Sequence, residues 1–233
     1  MDNSTLTAPA NNIEITFFRL VPMFSGLDDT ILERIAGLLK VREVKKHEII
    51  WLEQEPANII YFVADGLIKL FKTSDRGKEQ ILRLARPGDC FGHAGALNGG
   101  RHPESVQAVM PSVLYGLTSA DLEILIGEYP QVARNAIKLL ATEMHHYITL
   151  VEDLSLRCVS GRLAKMLLTD NVKGACDASL VLTRADMAAM TGTVREVIGK
   201  SLKTMEDNGV IRYDRRKIII RDREALQSLM RSE

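Results

Sequence analysis

Residues 182–211 read LTRADMAAMTGTVREVIGKSLKTMEDNGVI, and this stretch contains two helical patterns separated by a short turn. Thr183 opens an approximate capping box for the first helix, and Thr193 opens a full one for the second. Gly192 falls at the turn, where a residue without a Cβ atom adopts positive φ at little cost. Two capped helices joined by a tight turn predict a helix-turn-helix.

The second predicted helix has a small, polar and basic face, because its apolar residues share the opposite side. In a DNA major groove, Arg195 offers a bidentate fork to guanine, Glu196 accepts from cytosine, and Lys200 reaches a guanine or a phosphate. The predicted DNA contacts of the two helices are Arg195, Glu196, Lys200, Thr193, Thr191, Arg184 and Lys203. The alternative is a solvated helix face on which Glu196 and Lys200 form an i,i+4 ion pair.

A basic hairpin is predicted directly after the second helix. Residues 210–222 read VIRYDRRKIIIRD, which predicts two strands around a turn at residues 214–216. Arg212, Arg215 and Arg216 would meet the DNA backbone beside the groove. A helix-turn-helix followed by such a wing favours double-stranded DNA as partner over the solvated-face alternative.

Upstream, short apolar runs separated by turn signals recur from about Glu43 to Tyr115. They predict a many-stranded antiparallel β-roll of the jelly-roll type. A short helix is expected from Ser25 to Leu39, and Ser119 is the expected N-cap of another.

A long helix is predicted after Pro130. Two sets of residues, each seven apart, form interleaved a and d positions: Ile137, Met144 and Val151, and Leu140, Tyr147 and Leu154. This pattern predicts a homodimer, which would match a two-fold symmetric DNA site. The alternative is a helix lying on the core of its own domain. A break is expected between Asp153 and Leu156.

The predicted fold class is therefore α+β, and the chain divides into four parts. Residues 1–14 are expected to be a flexible tail, 15–129 an effector-sensing β-roll, 130–154 a dimerisation helix, and 155–233 a winged helix-turn-helix domain.

Composition agrees with two ordinary domains in 233 residues of zero net charge. From Ser155 onward there are 15 Lys and Arg against 10 Asp and Glu, which suits an end that meets phosphates. The chain shows neither a long apolar run nor a signal peptide, so we expect a cytoplasmic protein without a membrane segment. Catalytic motifs are also missing, so an enzyme is not expected. The cysteines, Cys90, Cys158 and Cys176, are expected to be free thiols.

The order of roll, long helix and winged helix-turn-helix resembles the family of the cyclic AMP receptor protein and the fumarate-nitrate reduction regulator (CRP/FNR), from about Phe18 to Leu229. The matching motifs are VADGLIKL with Gly66, RPGDCFG at 86–92, Pro130, Gly161 with Arg162, and TVREVIGKSLKTMEDNGVI. The resemblance implies base reading at Arg195, Glu196 and Lys200, half-sites like TGTGA in a palindrome, and RNA polymerase as a partner. It also implies that an effector shifts the dimer helices.

The sensor end departs from the cyclic AMP pattern. The expected effector pocket comprises Phe91, Gly92, His93, Ala94, Arg101, His102, Pro103, Glu104, Ser105 and Tyr147. The resemblance implies a ribose-binding Glu where this chain has His93, and a phosphate-binding Arg-Ser pair where it has Pro103 and Glu104. A carboxylate repels a phosphate, so cyclic AMP is not the expected effector. A cyclic-nucleotide-responsive regulator stays as an alternative, and the HPESVQA run resembles the fumarate-nitrate branch.

Other effectors stay open. The iron-sulfur mechanism of that branch is excluded because the N-terminus has no cysteine. A haem-bound gas such as nitric oxide is one alternative, with axial ligands drawn from the methionines and from His47, His93, His102, His145 and His146. Thiol sensing is another, although no sequence neighbour of a cysteine argues for it. A ligand-binding sensor module without sequence-specific DNA binding is the remaining alternative.

Overall fold

The computed structural model describes residues 7–9, 15–170, 182–214 and 217–231. The chain forms two compact units. The first contains the chain up to Phe71 together with Leu84–His145, and the second contains Lys72–Arg83 together with the chain from His146 onward. The predicted boundary at residue 155 divides the chain along the sequence, whereas in space the second unit is built from two separate segments.

The elements follow one another in the order in which they are numbered. The helices are α1 (Ile15–Phe18), α2 (Asp29–Leu38), α3 (His93–Leu97), α4 (Ser119–Glu128), α5 (Pro130–Leu156), α6 (Val159–Asp170), α7 (Arg184–Thr191), α8 (Arg195–Asp207) and α9 (Arg223–Arg231). The strands are β1 (Thr7–Pro9), β2 (Lys40–Val44), β3 (Ile49–Trp51), β4 (Ile59–Asp65), β5 (Ile68–Thr73), β6 (Glu79–Ala85), β7 (Cys90–Phe91), β8 (Ser105–Ala108), β9 (Ser112–Thr118), β10 (Ile211–Asp214) and β11 (Lys217–Ile220).

The strands of the roll form two sheets, with the orders β1-β2-β9-β4-β7 and β3-β8-β5-β6. Their pairings are antiparallel, which confirms the predicted architecture. Side chains from both sheets share one apolar cluster that includes Trp51, Phe91 and Leu114. A second cluster, which includes Phe18, Phe24 and the start of α5, joins the helices to the roll. Burial of these side chains stabilises the unit.

Gly66 marks the tight turn between β4 and β5. Its φ is +101°, and a Cβ atom there would collide with the side chain of Ser112. The Ser112 hydroxyl accepts from the backbone N–H of Leu67 (3.2 Å) and donates to the carbonyl of Met110 (2.8 Å). The motif that carried the family resemblance therefore has a steric reason for its glycine.

Two expectations need correction, one at the N-terminus of the chain and one at the start of α4. Thr7–Pro9 is a strand that pairs with β2, so the predicted flexible tail is wrong at these residues. The N-cap of α4 is Thr118, whose hydroxyl accepts from the backbone N–H of Asp121 (3.1 Å), and not the neighbouring Ser119. Both residue types cap helices, so the pattern alone could not fix the position.

The long helix α5 carries a row of exposed apolar side chains, which we call the apolar stripe: Ile137 (66% exposed), Leu140 (37%), Met144 (56%), Ile148 (56%) and Val151 (63%). The predicted d residues Tyr147 and Leu154 are half-buried. The three predicted a positions thus lie on the stripe, together with Leu140 and Ile148. Single chains rarely leave such a continuous apolar face in water.

The break after α5 lies at residues 157–158, slightly later than predicted. The backbone N–H of Arg157 still donates to the carbonyl of Asp153 (3.2 Å), which extends the helical pattern. The guanidinium of Arg162 lies at this break. It donates to the carbonyls of Arg157 (2.8 Å), Leu154 (3.2 Å) and Asp153 (3.3 Å). A single cation therefore binds two carbonyls in the last turn of α5 and one carbonyl directly after it.

The segment Lys72–Arg83 belongs to the second unit, and two of its side chains form hydrogen bonds there. The Gln80 amide donates to the carbonyl of Met190 (3.4 Å), and the Lys78 ammonium donates to the carbonyl of Gly192 (3.4 Å). Both carbonyls lie at the end of α7. Among the described residues, we find no helix that is long and apolar enough to cross a membrane.

Candidate nucleic-acid interface and sensor site

The helices α7 and α8 are joined by a left-handed turn. The Thr183 hydroxyl accepts from the backbone N–H of Asp186 (3.1 Å), and the Asp186 carboxylate accepts from the backbone N–H of Thr183 (2.9 Å), so this capping box is complete. Gly192 ends α7 with a φ of +67°, which confirms the predicted turn. The full box predicted at Thr193 is wrong, because the N-cap of α8 is Val194 and its side chain makes no cap hydrogen bond.

The side chains of α8 divide as the pattern predicts. Ile198, Leu202 and Met205 are buried. The exposed predicted DNA contacts are Arg195, Glu196, Lys200 and Lys203, and Thr193 is half-buried. Arg184 is exposed at the start of α7, and its Nη1 atom lies 3.8 Å from the point where a side chain at Gly199 would begin. Arg184 therefore lies beside Gly199 of α8.

Thr191 does not fit its predicted role as a phosphate anchor. It is 2% exposed, and its hydroxyl donates to the carbonyl of Met187 (2.7 Å). Its own carbonyl accepts from Nε of Arg162 (2.8 Å). The residue therefore holds α7 and α6 together, and its hydroxyl is not presented to a ligand.

The wing forms as two antiparallel strands, as predicted, and its first strand extends to Asp214 at the start of the predicted turn. Ile211 pairs with Ile220 and Asp214 pairs with Lys217 in an antiparallel ladder. Arg212 is exposed on the first strand. The predicted contacts Arg215 and Arg216 lie outside the described residues.

Aromatic side chains fill the roll where the effector pocket is predicted. The His102 ring stacks on Trp51, with centroids 3.7 Å apart and planes 8° apart. Phe91 lies 5.2 Å and Tyr61 5.9 Å from Trp51, centroid to centroid. Gly92 has a φ of +85°, and a Cβ atom there would lie 2.8 Å from Cη2 of Trp51. The fold thus brings three predicted pocket residues together but packs them against Trp51 and Tyr61, which the sequence pattern did not single out.

His93 is held by two partners. It is 2% exposed, its Nε2 lies 2.9 Å from Oε2 of Glu143 on α5, and its Nδ1 lies 3.7 Å from Sγ of Cys90. Burial alone would lower the pKa of His93, but the hydrogen bonds with Cys90 and Glu143 outweigh it and raise the pKa to about 10. The imidazole is therefore protonated at neutral pH. Glu143 was missed because only the fold brings it near His93.

The loop expected to bind a phosphate is engaged elsewhere. The Arg101 guanidinium donates to the carbonyl of Gln54 (2.6 Å). Glu104 is 7% exposed, and its carbonyl accepts from the indole N–H of Trp51 (3.1 Å). The Ser105 hydroxyl accepts from the backbone N–H of Glu53 (2.9 Å). The other predicted pocket residues are Pro103, which is exposed, Ala94, which is half-buried, and Tyr147, which belongs to the second unit.

The two buried histidines do not fit a haem ligand. Both ring nitrogens of His93 are engaged, by Glu143 and Cys90. His102 is only 3% exposed, so neither of its nitrogens opens on space for a porphyrin. Haem binding at either residue would require rebuilding of the roll.

His102 makes the stability of the roll sensitive to acid. Burial lowers the pKa of His102 to about 4, and its Nδ1 is a buried atom without a hydrogen-bond partner among the described residues. Between pH 6.5 and 4 the unfolded state binds a proton that the folded state does not, so stability falls as the pH falls. We expect this loss to be about 2 kcal/mol smaller in His102→Phe, measured by urea unfolding across that range. The exposed His145→Gln should behave like the wild type, and equal pH slopes in all three proteins would contradict the assignment.

Comparison with known proteins covers both ends of the chain. Residues 41–129 match the cyclic nucleotide-binding domain family, and residues 161–229 match the Crp-like helix-turn-helix domain family. The cyclic AMP receptor protein of Thermus thermophilus is 27% identical over 208 residues, which cover 89% of this chain and 96% of that protein. The anaerobic regulatory protein of Pasteurella multocida is 26% identical over 210 residues, which cover 87% of this chain and 77% of that protein.

Among solved structures, FixK2 from Bradyrhizobium japonicum is similar with a TM-score of 0.77 and 26% identity, and the match covers 84% of this chain and 98% of that chain. The matched regions contain both the roll and the winged helix-turn-helix. The two relatives are named for different signals, cyclic AMP and anaerobic regulation.

Proposed function

The chain belongs to the CRP/FNR family of transcription regulators, and from this premise we propose that it reads a TGTGA-like palindrome as a homodimer. It is a DNA-binding regulator with an effector-binding domain. We further propose that it acts in the cytoplasm, contacts RNA polymerase and has no enzymatic activity. We also propose that the chain belongs to the fumarate-nitrate reduction branch of the family.

The exposed face of α8 carries this proposal. Arg195, Glu196 and Lys200 are exposed on a helix whose opposite face is buried, so their polar ends are free to enter a groove. The wing follows directly, and the chain from Ser155 onward has 15 basic against 10 acidic residues. Phosphate attraction and base reading then come from the same surface.

The proposal is tested by fluorescence anisotropy on labelled duplexes. A palindrome of two TGTGA half-sites, centred about one DNA turn apart, should bind at least about a thousandfold more tightly than a scrambled duplex at physiological salt. Moving the half-sites by half a turn should abolish the preference. Equal affinity for palindrome and scrambled DNA, with cyclic AMP, without it, and after mild reduction, would overturn the proposed specificity.

The apolar stripe supports a second copy of the chain as partner. Its members occupy the exposed side of α5 with spacings of three and four residues, which is the geometry of a helix-helix seam. A two-fold pairing along the stripe would place two copies of α8 on one palindrome.

Met144→Glu is expected to weaken the dimer. A carboxylate in an apolar seam loses hydration without gaining a partner, so the dimer dissociation constant should rise at least about tenfold. Analytical ultracentrifugation measures the change. The matched control is Ile124→Glu, which alters a side chain that is 51% exposed on α4 and should leave the dimer intact. A wild-type protein that sediments as a monomer at micromolar concentration would sink the dimer proposal.

We also propose that the effector is not cyclic AMP. The position expected to hold the ribose is the protonated His93, which is already paired with Glu143. The phosphate position falls on Pro103 and the buried Glu104, and Arg101 is engaged by Gln54. Pro103 and Glu104 thus supply no cation to an incoming phosphate, and one Nη atom of Arg101 is already hydrogen-bonded to a carbonyl. Saturable binding of cyclic AMP in calorimetry would contradict this part.

A further inference from the structure

Cys90, His93 and Glu143 form a chain of three polar side chains inside the first unit. Glu143 Oε2 lies 2.9 Å from His93 Nε2, and His93 Nδ1 lies 3.7 Å from Cys90 Sγ. This is the order of side chains found around many reactive cysteines: a sulfur, an imidazole within hydrogen-bond reach that can transfer a proton, and a carboxylate that orients the imidazole. Buried polar groups in a roll are usually satisfied by backbone atoms, so three linked side chains call for an explanation.

We propose that Cys90, His93 and Glu143 are a peroxide-reactive thiol site, in which Cys90 is oxidised to a sulfenic acid with His93 as its proton-transfer partner. The substrate class is a small uncharged hydroperoxide, with hydrogen peroxide as the simplest member. The inference deepens the proposed function, because it names a redox signal that the sensor domain would receive.

The chemistry of the step balances. The Cys90 sulfur attacks one oxygen of the peroxide and forms an S–O bond while the O–O bond breaks. The second oxygen leaves as hydroxide and takes a proton from His93, so that the products are a sulfenic acid and water. Sulfur loses two electrons and the peroxide gains them. The thiolate is the attacking form of a cysteine, because a thiol is a much weaker nucleophile. Glu143 stabilises the imidazolium that supplies the proton.

Access to the sulfur comes from the edge of a sheet. Cys90 is 2% exposed, but it lies on β7, a strand of two residues at the end of the β1-β2-β9-β4-β7 sheet. β7 pairs only with β4 in this sheet, and α3 directly after it has five residues. Short edge elements open locally at low cost. The Glu143 side chain is 14% exposed, so the three linked side chains reach solvent at their Glu143 end.

Oxidation would be felt on α5. Oxidation replaces the sulfur that contacts His93 Nδ1 by a sulfenic acid, so the hydrogen bonds that link Cys90, His93 and Glu143 must rearrange. The added oxygen also enlarges the sulfur in a close-packed interior. Glu143 directly precedes Met144 of the apolar stripe, so the change reaches the face that is proposed to form the dimer.

Cys158 provides a demanding internal reference. It is more exposed than Cys90, and the hydrogen bond from Ser160 lowers its pKa. If exposure and thiol acidity alone set the rate, Cys158 would be oxidised first. We therefore treat the reduced full-length protein with hydrogen peroxide, trap sulfenic acids with dimedone, and quantify the Cys90 and Cys158 peptides by mass spectrometry in the same sample. Cys90 should be labelled at least about tenfold faster. Labelling of Cys158 at an equal or higher rate overturns the proposal, and this outcome needs no variant.

Three variants assign the roles. His93→Gln removes the proton-transfer group and should slow Cys90 labelling at least about tenfold, and Glu143→Gln should slow it by a smaller factor. Neither should change the rate at Cys158. His145→Gln, an exposed change on the same helix, should leave both rates unaltered. An unchanged Cys90 rate in folded His93→Gln would refute the role of His93.

The labelling readout is independent of DNA. Palindrome binding by the reduced protein tests the proposed function separately. Rapid Cys90 oxidation without palindrome binding would support the thiol site and reject the regulator specificity, whereas palindrome binding with slow Cys90 oxidation would do the opposite.

Discussion

Arg195→Ala is expected to cost about 1–3 kcal/mol at each half-site, and therefore about 2–6 kcal/mol on a palindrome bound by two chains. This loss corresponds to a roughly thirtyfold to twenty-thousandfold weaker affinity. The physical reason is that the guanidinium forms a paired hydrogen bond to one guanine, and alanine leaves the base acceptors unpaired. Fold stability should not change, because Arg195 is exposed. Anisotropy titrations on the palindrome and on duplexes altered at one position measure the effect.

Two controls separate base reading from charge. Lys203→Ala removes a predicted phosphate contact, so it should weaken all duplexes alike and reduce the slope of affinity against salt by about 1 for each copy. Arg134→Ala removes an exposed cation from the first unit and should have little effect. If Arg195→Ala weakened palindrome and scrambled DNA equally, Arg195 would be a phosphate contact and not a base reader.

Arg162→Met should lower the free energy of unfolding of the second unit by about 3–5 kcal/mol. The guanidinium donates to four carbonyls, those of Thr191 (2.8 Å), Arg157 (2.8 Å), Leu154 (3.2 Å) and Asp153 (3.3 Å). Methionine keeps most of the aliphatic volume but leaves these acceptors without a donor. The same residue links the end of α5 with the end of α7, so its loss should also loosen the orientation of α8.

The single tryptophan makes the measurement specific. Trp51 lies in the first unit, so its fluorescence follows that unit, while circular dichroism follows the helices of both. We expect the dichroism transition to shift to lower urea and the fluorescence transition to stay in place. Lys165→Met on the same helix removes only the partly exposed ion pair with Asp153 and should cost about 1 kcal/mol or less. A similar loss in both variants would contradict the special role of Arg162.

Sequence periodicity predicted the buried face of α8 and the wing, because each depends on neighbours along the chain. The antiparallel roll was predicted from short apolar runs between turn signals, although its strands pair over long separations, such as Lys40 with Gly116. The sequence pattern placed the capping boxes less well. Thr183 and Thr193 stand in nearly the same local pattern, yet only Thr183 caps, since Gly192 turns the chain so that Val194 precedes α8. Local propensity does not record this direction change.

The sensor site was less predictable because its contacts join distant residues. His93 and His102 could be named from the sequence as pocket residues. Glu143 and Trp51 could not, because they come from α5 and β3. The proximity of Cys90 and His93 depends on the left-handed conformation of Gly92 between β7 and α3. Cys90 and His93 are three positions apart in the sequence, and this spacing alone did not indicate that their side chains are in contact.

The segment Lys72–Arg83 limits how this regulator can be divided into separate domains. A fragment starting at Ser155 would contain the whole winged helix-turn-helix but would lack Lys78 and Gln80, which hold the carbonyls at the end of α7. A chimera that joined this DNA-binding domain to the sensor domain of another protein would have that protein's segment in place of Lys72–Arg83. A working chimera therefore requires that Lys72–Arg83 be transferred together with the DNA-binding domain, although more than a hundred residues of the sequence separate Gln80 from Met190.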